Sequence, residues 1–140
     1  MRPLAIIALL VALAGAKPGP DTALTLKPVE PMFRVRVVER PSCPPSFDLE
    51  LTADMPDPGW SLNVDRVADP DETLRRVVEI TATRGDGMFP QVVTARTAKV
   101  PLGILRKGVY LIDVQVRQGA AKYERVQAIV LRGAGAEAPR

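Results

Sequence analysis

The sequence predicts an all-β chain, one antiparallel sandwich or barrel of about seven strands. Three observations carry that reading. Apolar and polar residues alternate with a period of two in seven separate stretches, the pattern of strands with one dry and one wet face. Clusters of Pro, Gly, Asp and Ser stand between the stretches. No segment offers ten or more residues of convincing 3.6-residue periodicity.

The chain opens with Arg2, an apolar run from Leu4 to Leu13 and the small residues Ala14-Gly15-Ala16. That order of a short positive region, an apolar region and a small-residue site is the pattern of a secretory signal peptide over 1–16, cleaved near Ala16. The apolar run is too short to span a bilayer as a helix, which needs roughly 20 residues. A secreted or periplasmic location is therefore expected, with no membrane span in the mature chain. Residues 17–31, KPGPDTALTLKPVEP, are proline-rich without sustained apolar periodicity and read as an extended leader or linker.

The domain is expected over 32–132. Phe33, Val35 and Val37 alternate with Arg34 and Arg36; Phe47, Leu49 and Leu51 alternate with Asp48, Glu50 and Thr52. Between them Arg40-Pro41-Ser42-Cys43-Pro44-Pro45 is too proline-dense for regular structure. After the turn-rich 54–59, the alternation returns as Trp60, Leu62 and Val64 against Ser61, Asn63 and Asp65, and Asp69-Pro70-Asp71 interrupts it again. Leu74–Thr83 sets Val78, Ile80 and Ala82 against Glu79, Thr81 and Thr83 and is rich in β-branched residues. Gln91–Val100 is a weaker strand ending at Pro101, which lacks an amide hydrogen and belongs at a strand end, a bulge or an edge. The clearest hairpin comes last: Val109–Arg117 alternates, turns near Gln118-Gly119 and returns from Tyr123 to Leu131. Residues 133–140 are small and polar and read as a loose tail.

Leu105-Arg106-Lys107-Gly108-Val109-Tyr110 resembles the L-x-x-G-x-Y stretch of fibronectin type III and related immunoglobulin-like domains, where it leads into the penultimate strand. The resemblance implies an antiparallel immunoglobulin-like sandwich with Tyr110 as a corner whose hydroxyl bonds to nearby backbone, and Trp60 as the core tryptophan. The paired cysteines of antibody-type domains are absent. Gly59-Trp60-Ser61-Leu62-Asn63-Val64 followed by Pro90-Gln91-Val92-Val93-Thr94 is similar to segments of exported bacterial domains related to the C-terminal domain of protease-complex regulators. That likeness implies modulation of another protein rather than catalysis.

Composition removes whole classes of chemistry. There is no histidine, so Ser-His-Asp and Cys-His nucleophiles and histidine-ligated zinc have no basis. No catalytic, metal-binding or cofactor-binding residues are nominated, and a histidine-free hydrolase, built on Ser-Lys or paired carboxylates, is the unfavoured alternative. Without residues 1–16 the chain loses Arg2 and keeps 18 basic residues against 16 acidic ones. That near balance, with aromatics at 4 % of the chain, offers no basic stripe with stacking residues, so nucleic acid is not an expected partner.

Asp54 and Asp57 in one loop, and Asp65, Asp69, Asp71 and Glu72 near another, could serve a calcium-stabilised adhesion or structural module; turn chemistry accounts for them better. Arg84-Gly85-Asp86 spells an adhesion-receptor tripeptide at an expected hairpin tip, where Asp86-Gly87 is equally a tight-turn pair. Cys43, the single cysteine, reads first as a buried small apolar residue and second as a thiol that pairs between chains. The expected function is binding another exported or cell-envelope protein. Met55, Arg84, Asp86, Met88 and Phe89, in loops 54–59 and 84–90, are the expected contacts.

Overall fold

Every alternating stretch is a strand in the computed structural model, which describes residues 32–135: β1 (Met32–Arg40), β2 (Ser46–Met55), β3 (Trp60–Val67), β4 (Arg75–Arg84), β5 (Thr94–Ile104), β6 (Gly108–Gln118) and β7 (Glu124–Gly133). The expected signal peptide over 1–16, the leader over 17–31 and the end of the tail over 136–140 lie outside the described residues. Among the described residues there is no helix, and none long and apolar enough to cross a membrane.

The strands form two sheets, β1-β2-β5 and β3-β4-β6-β7. All pairs are antiparallel except β4 with β6, where Arg75 to Ala82 run alongside Leu111 to Gln118 in the same direction. Chain path explains the exception. From β4 the chain crosses to the other sheet as β5, reverses, and comes back beside β4 as β6, so the two strands share a direction.

The core lies between the sheets, on the faces that alternation marked as dry. Phe47, Leu49, Leu51, Ala53 and Met55 of β2 face Val78, Ile80 and Ala82 of β4 and Tyr110, Ile112, Val114 and Val116 of β6, all buried. Burying each large aliphatic side chain contributes about 1.5–3 kcal/mol. The wet face of the three-stranded sheet is a ladder of cross-strand ion pairs: Arg34–Asp54, Arg36–Glu50 and Arg40–Asp48, with Lys99 also reaching Glu50. Arg36 holds the Glu50 carboxyl below its ordinary value through its hydrogen bond. Exposed pairs of this kind are worth about 0–1 kcal/mol each, so the core decides stability and the ladder mainly fixes register.

Several expectations are corrected. β5 begins at Thr94 and does not end at Pro101 but runs to Ile104. Pro101 is accommodated because β5 is an edge strand and is bulged there: Asp48 stands opposite Pro101 and Phe47 opposite Gly103, leaving Leu102 as the extra residue. Val64, expected on the dry face, is 40 % exposed. Residues 133–135 are not a loose tail. Gly133 and Gly135 are buried, Gly135 N–H donates to the Leu105 carbonyl at 3.0 Å, and a Cβ on Gly133 would stand 2.0 Å from the Arg106 carbonyl oxygen. Trp60 is partly buried and packs against the core, with its indole Nε1 buried and without a partner among the described residues. Tyr110 is buried at the start of β6, but its hydroxyl makes no corner hydrogen bond to backbone among the described residues; its ring lines a cleft of about 480 Å³ with Leu74, Arg76 and Leu105.

Candidate functional site

Two connections that are distant in sequence meet at one end of the sandwich. The β2–β3 turn, 56–59, and the crossover between sheets, 85–93, are joined because β3 and β4 pair up to Trp60 opposite Arg84. Asp57 is the centre of the junction and is 3 % exposed. Its carboxylate accepts Gly59 N–H at 2.8 Å and Arg84 Nε–H at 2.9 Å, so one buried charge closes its own turn and fixes the end of β4. Gly85 N–H donates to the Gly59 carbonyl at 2.9 Å, and Arg96 of β5 donates to the Pro58 carbonyl at 2.5 Å. The Arg84 guanidinium also lies over the Phe89 ring, 5.6 Å from its centre.

Phe89 folds back onto this turn. A Cβ on Gly59 would stand 2.4 Å from the Phe89 ring, so only a residue without a side chain lets the ring seat there. Holding the crossover at both ends leaves its remaining apolar residues outside: Met88 is fully exposed, and Val92 and Val93 are 59 % and 66 % exposed. Three apolar side chains thus stand in solvent on a loop tied down by the Arg84–Asp57 ion pair and a seated ring.

The expected contact residues are therefore sorted by the structure. Met88 and Asp86 are exposed, Arg84 is spent on Asp57 and Phe89, and Phe89 is partly buried. Met55 is a correction: it is 0 % exposed, the last inward residue of β2, and presents nothing to a partner. The Arg84-Gly85-Asp86 tripeptide is not at a hairpin tip, because β4 and β5 belong to different sheets. Val92 and Val93, expected within the strand Gln91–Val100, precede β5 because its pairing starts with Thr94 opposite Met55. Turn chemistry accounts for Asp57 in its own turn, but its pairing with Arg84 and the bond from Arg96 to the Pro58 carbonyl carry no local signal.

Cys43 is likewise corrected. It is exposed rather than buried. β1 and β2 pair out to Arg40 opposite Ser46, so the connection between them projects past the end of the sheet.

A second polar cluster covers the outer face of the four-stranded sheet. Asp113, 0 % exposed, accepts a two-pronged contact from Arg125, Nε to Oδ1 at 2.8 Å and Nη2 to Oδ2 at 2.7 Å, and a third from Arg75 Nη2 at 2.5 Å. The Arg125 hydrogen bonds lead in holding its carboxyl down at about 2, against the opposing effect of burial, and Arg75 adds to them. Nearby, Asp65 accepts from Thr81 and from the Tyr123 hydroxyl, while Arg117 lies over the Tyr123 ring, 4.6 Å from its centre. The bond from Thr81, then that from Tyr123, lowers the Asp65 carboxyl; the same bond raises the Tyr123 phenol.

Among the described residues no three acidic side chains converge on a position fit for a metal ion. Four of the acidic residues named above as calcium candidates, Asp54, Asp57, Asp65 and Asp71, serve their own turns and strands. Asp71 Oδ1 accepts Thr73 N–H, Thr73 Oγ1–H and Arg75 N–H, Asp54 pairs with Arg34, and Asp57 and Asp65 are engaged as above. The Thr73 hydroxyl is the largest cause lowering the Asp71 carboxyl. Every carboxylate with a resolved shift is held more firmly ionised, the opposite of what a general acid near neutral pH requires. Comparisons with protein-family models, with curated proteins and with solved structures found no match to this chain.

Proposed function

We propose that this chain is an exported, non-catalytic β-sandwich that binds another exported or cell-envelope protein through the 85–93 crossover. One observation carries the proposal: Met88, Val92 and Val93 stand exposed on a loop held by Asp57, Arg84 and the seated Phe89 ring. Exposing apolar side chains costs solvation, and holding them in place removes the ordering entropy that a partner would otherwise oppose. Lowered carboxylates and the absence of histidine support binding over hydrolysis. The secreted or periplasmic address rests on the Arg2-to-Ala16 pattern.

Kinship with fibronectin type III and immunoglobulin-like domains is proposed as one of architecture. It is supported by two facing sheets and by Tyr110 at the start of the penultimate strand. The order β3-β4-β6-β7 differs from the immunoglobulin pattern, in which the third strand lies beside the sixth. The likeness of Gly59–Val64 and Pro90–Thr94 to protease-complex-regulator domains covers the start of β3 and the end of the 85–93 crossover, and supports a modulating partner role.

A photo-crosslinking residue placed at Met88 in producing cells tests the proposal. An adduct with one defined envelope or secreted protein is expected, lost in Val92→Ser/Val93→Ser chains whose melting temperature is unchanged. Labelling that is absent, or that survives those substitutions, rejects this surface.

A further inference from the structure

β3 and β4 pair from Trp60 opposite Arg84 to Val67 opposite Val78, so the β3–β4 connection lies at the end of the sandwich away from the 85–93 crossover. There it faces the β5–β6 connection across a cleft of about 480 Å³. Leu74, Leu102, Leu105 and the Tyr110 ring give the cleft apolar walls. Its charges are divided: Asp69 and Asp71 stand on the β3–β4 connection, Arg76 and Arg106 on β4 and the β5–β6 connection.

Two polar groups in the lining are short of partners. Tyr110 is 4 % exposed, and its hydroxyl has no hydrogen-bond partner among the described residues, whereas a buried phenol usually meets one. Arg76 is half-buried. Its Nε–H donates to the Ala68 carbonyl at 2.9 Å and its Nη1 to the Leu102 carbonyl at 2.7 Å, and no carboxylate pairs with it among the described residues. Two neutral carbonyls hold this guanidinium in place without offsetting its charge. Leu74 is held against its own preference as well. Its φ is +58°, with its N–H on the Asp71 carbonyl at 2.9 Å and its carbonyl accepting the Leu111 N–H at 3.1 Å. The side chain lies over Gly108, where a Cβ would stand 2.8 Å from Leu74 Cδ1. Left-handed backbone at a branched residue costs free energy and persists only where its surroundings impose it, as binding sites do.

We propose that this cleft binds the C-terminal residue of a peptide whose last side chain is apolar. Such a residue matches the lining in three respects. Its side chain packs against Leu74, Leu105 and the Tyr110 ring, and its carboxylate accepts from Arg76, Arg106 and the Tyr110 hydroxyl. Its amide N–H is a donor for Asp69 on the opposite wall. Asp71 is not needed for this, because its Oδ1 already accepts from Thr73 and Arg75. A fatty carboxylate has the acid and the apolar body but sets an alkyl chain against Asp69, which the peptide does not. The cleft is within the size range of sites for small ligands. The proposal is independent of the 85–93 loop, and either site can fail without the other.

Calorimetric titration of the full chain with the peptide acetyl-Ala-Ala-Leu, its carboxylate free, tests the proposal. Saturable one-to-one binding is expected with a dissociation constant below about 1 mM, and about tenfold or more weaker for the same peptide ending in an amide. Tyr110→Phe keeps the ring and removes only the hydroxyl. It is expected to weaken binding about fivefold or more at an unchanged melting temperature, and Arg106→Gln by a similar factor. Failure of the acid peptide to bind, or equal binding of the amide, overturns the proposal. So does unchanged affinity in both variants, which would put the peptide elsewhere on the molecule. Octanoate binding as tightly as the peptide would assign the cleft to a fatty carboxylate instead. Binding seen only in a chain ending at Gly135 would make residues 136–140 the occupant; each of these two results overturns the proposal as well.

Discussion

Asp113 shows how much of a residue's role depends on neighbours that the local pattern does not contain. In the alternation of β6 it stands with Gln115 on the polar face, yet it is fully buried beneath Arg75 and Arg125, which approach from β4 and β7. Its folded pKa, about 2, lies below the ordinary 3.8, so the ionised form stabilises the fold. That contribution is complete above about pH 4 and is lost as pH falls toward 2. Asp113→Asn is expected to cost about 2 kcal/mol at neutral pH in urea unfolding. It should also flatten the fall in stability between pH 4 and pH 2. An acid limb identical to that of the unsubstituted chain would refute this account.

Among the elements, the 85–93 crossover depends on one glycine in a different connection. Gly59→Ala puts a methyl group inside the volume of the Phe89 ring, so the ring must leave its seat. A cost of about 1–3 kcal/mol is expected from this overpacking. In a Phe89→Ala background the same substitution should cost much less, because the clash has been removed. Equal costs in the two backgrounds, measured by urea denaturation, would show that Phe89 does not rest on Gly59. The strands themselves were legible because alternation is strict where a strand has one dry face, as in Phe47 to Met55. Strand ends were less legible. Pro101 looks like a stop locally, and only the bulge opposite Phe47 and Asp48 makes room for it within β5.

For the molecule as a whole, stability comes from two apolar faces pressed together with no disulfide, since Cys43 has no second cysteine to meet. Its thiol stands outside the fold, so in the native chain it is expected to react with Ellman's reagent within a few-fold of the rate seen in urea. Strong protection would place Cys43 under cover and contradict the exposed β1–β2 connection. By itself the sequence determined the seven strands in outline, the dry faces of β2, β4 and β6, and that histidine chemistry is absent. Those properties follow from residue type and a period of two. Only the tertiary structure decided that β4 rather than β3 lies beside β6, that Met55 is core while Met88 is surface, and that Asp57 ties two loops together. Alternation states that a face must be buried, but which strand covers it is set by the path of the chain and by packing between residues far apart in sequence.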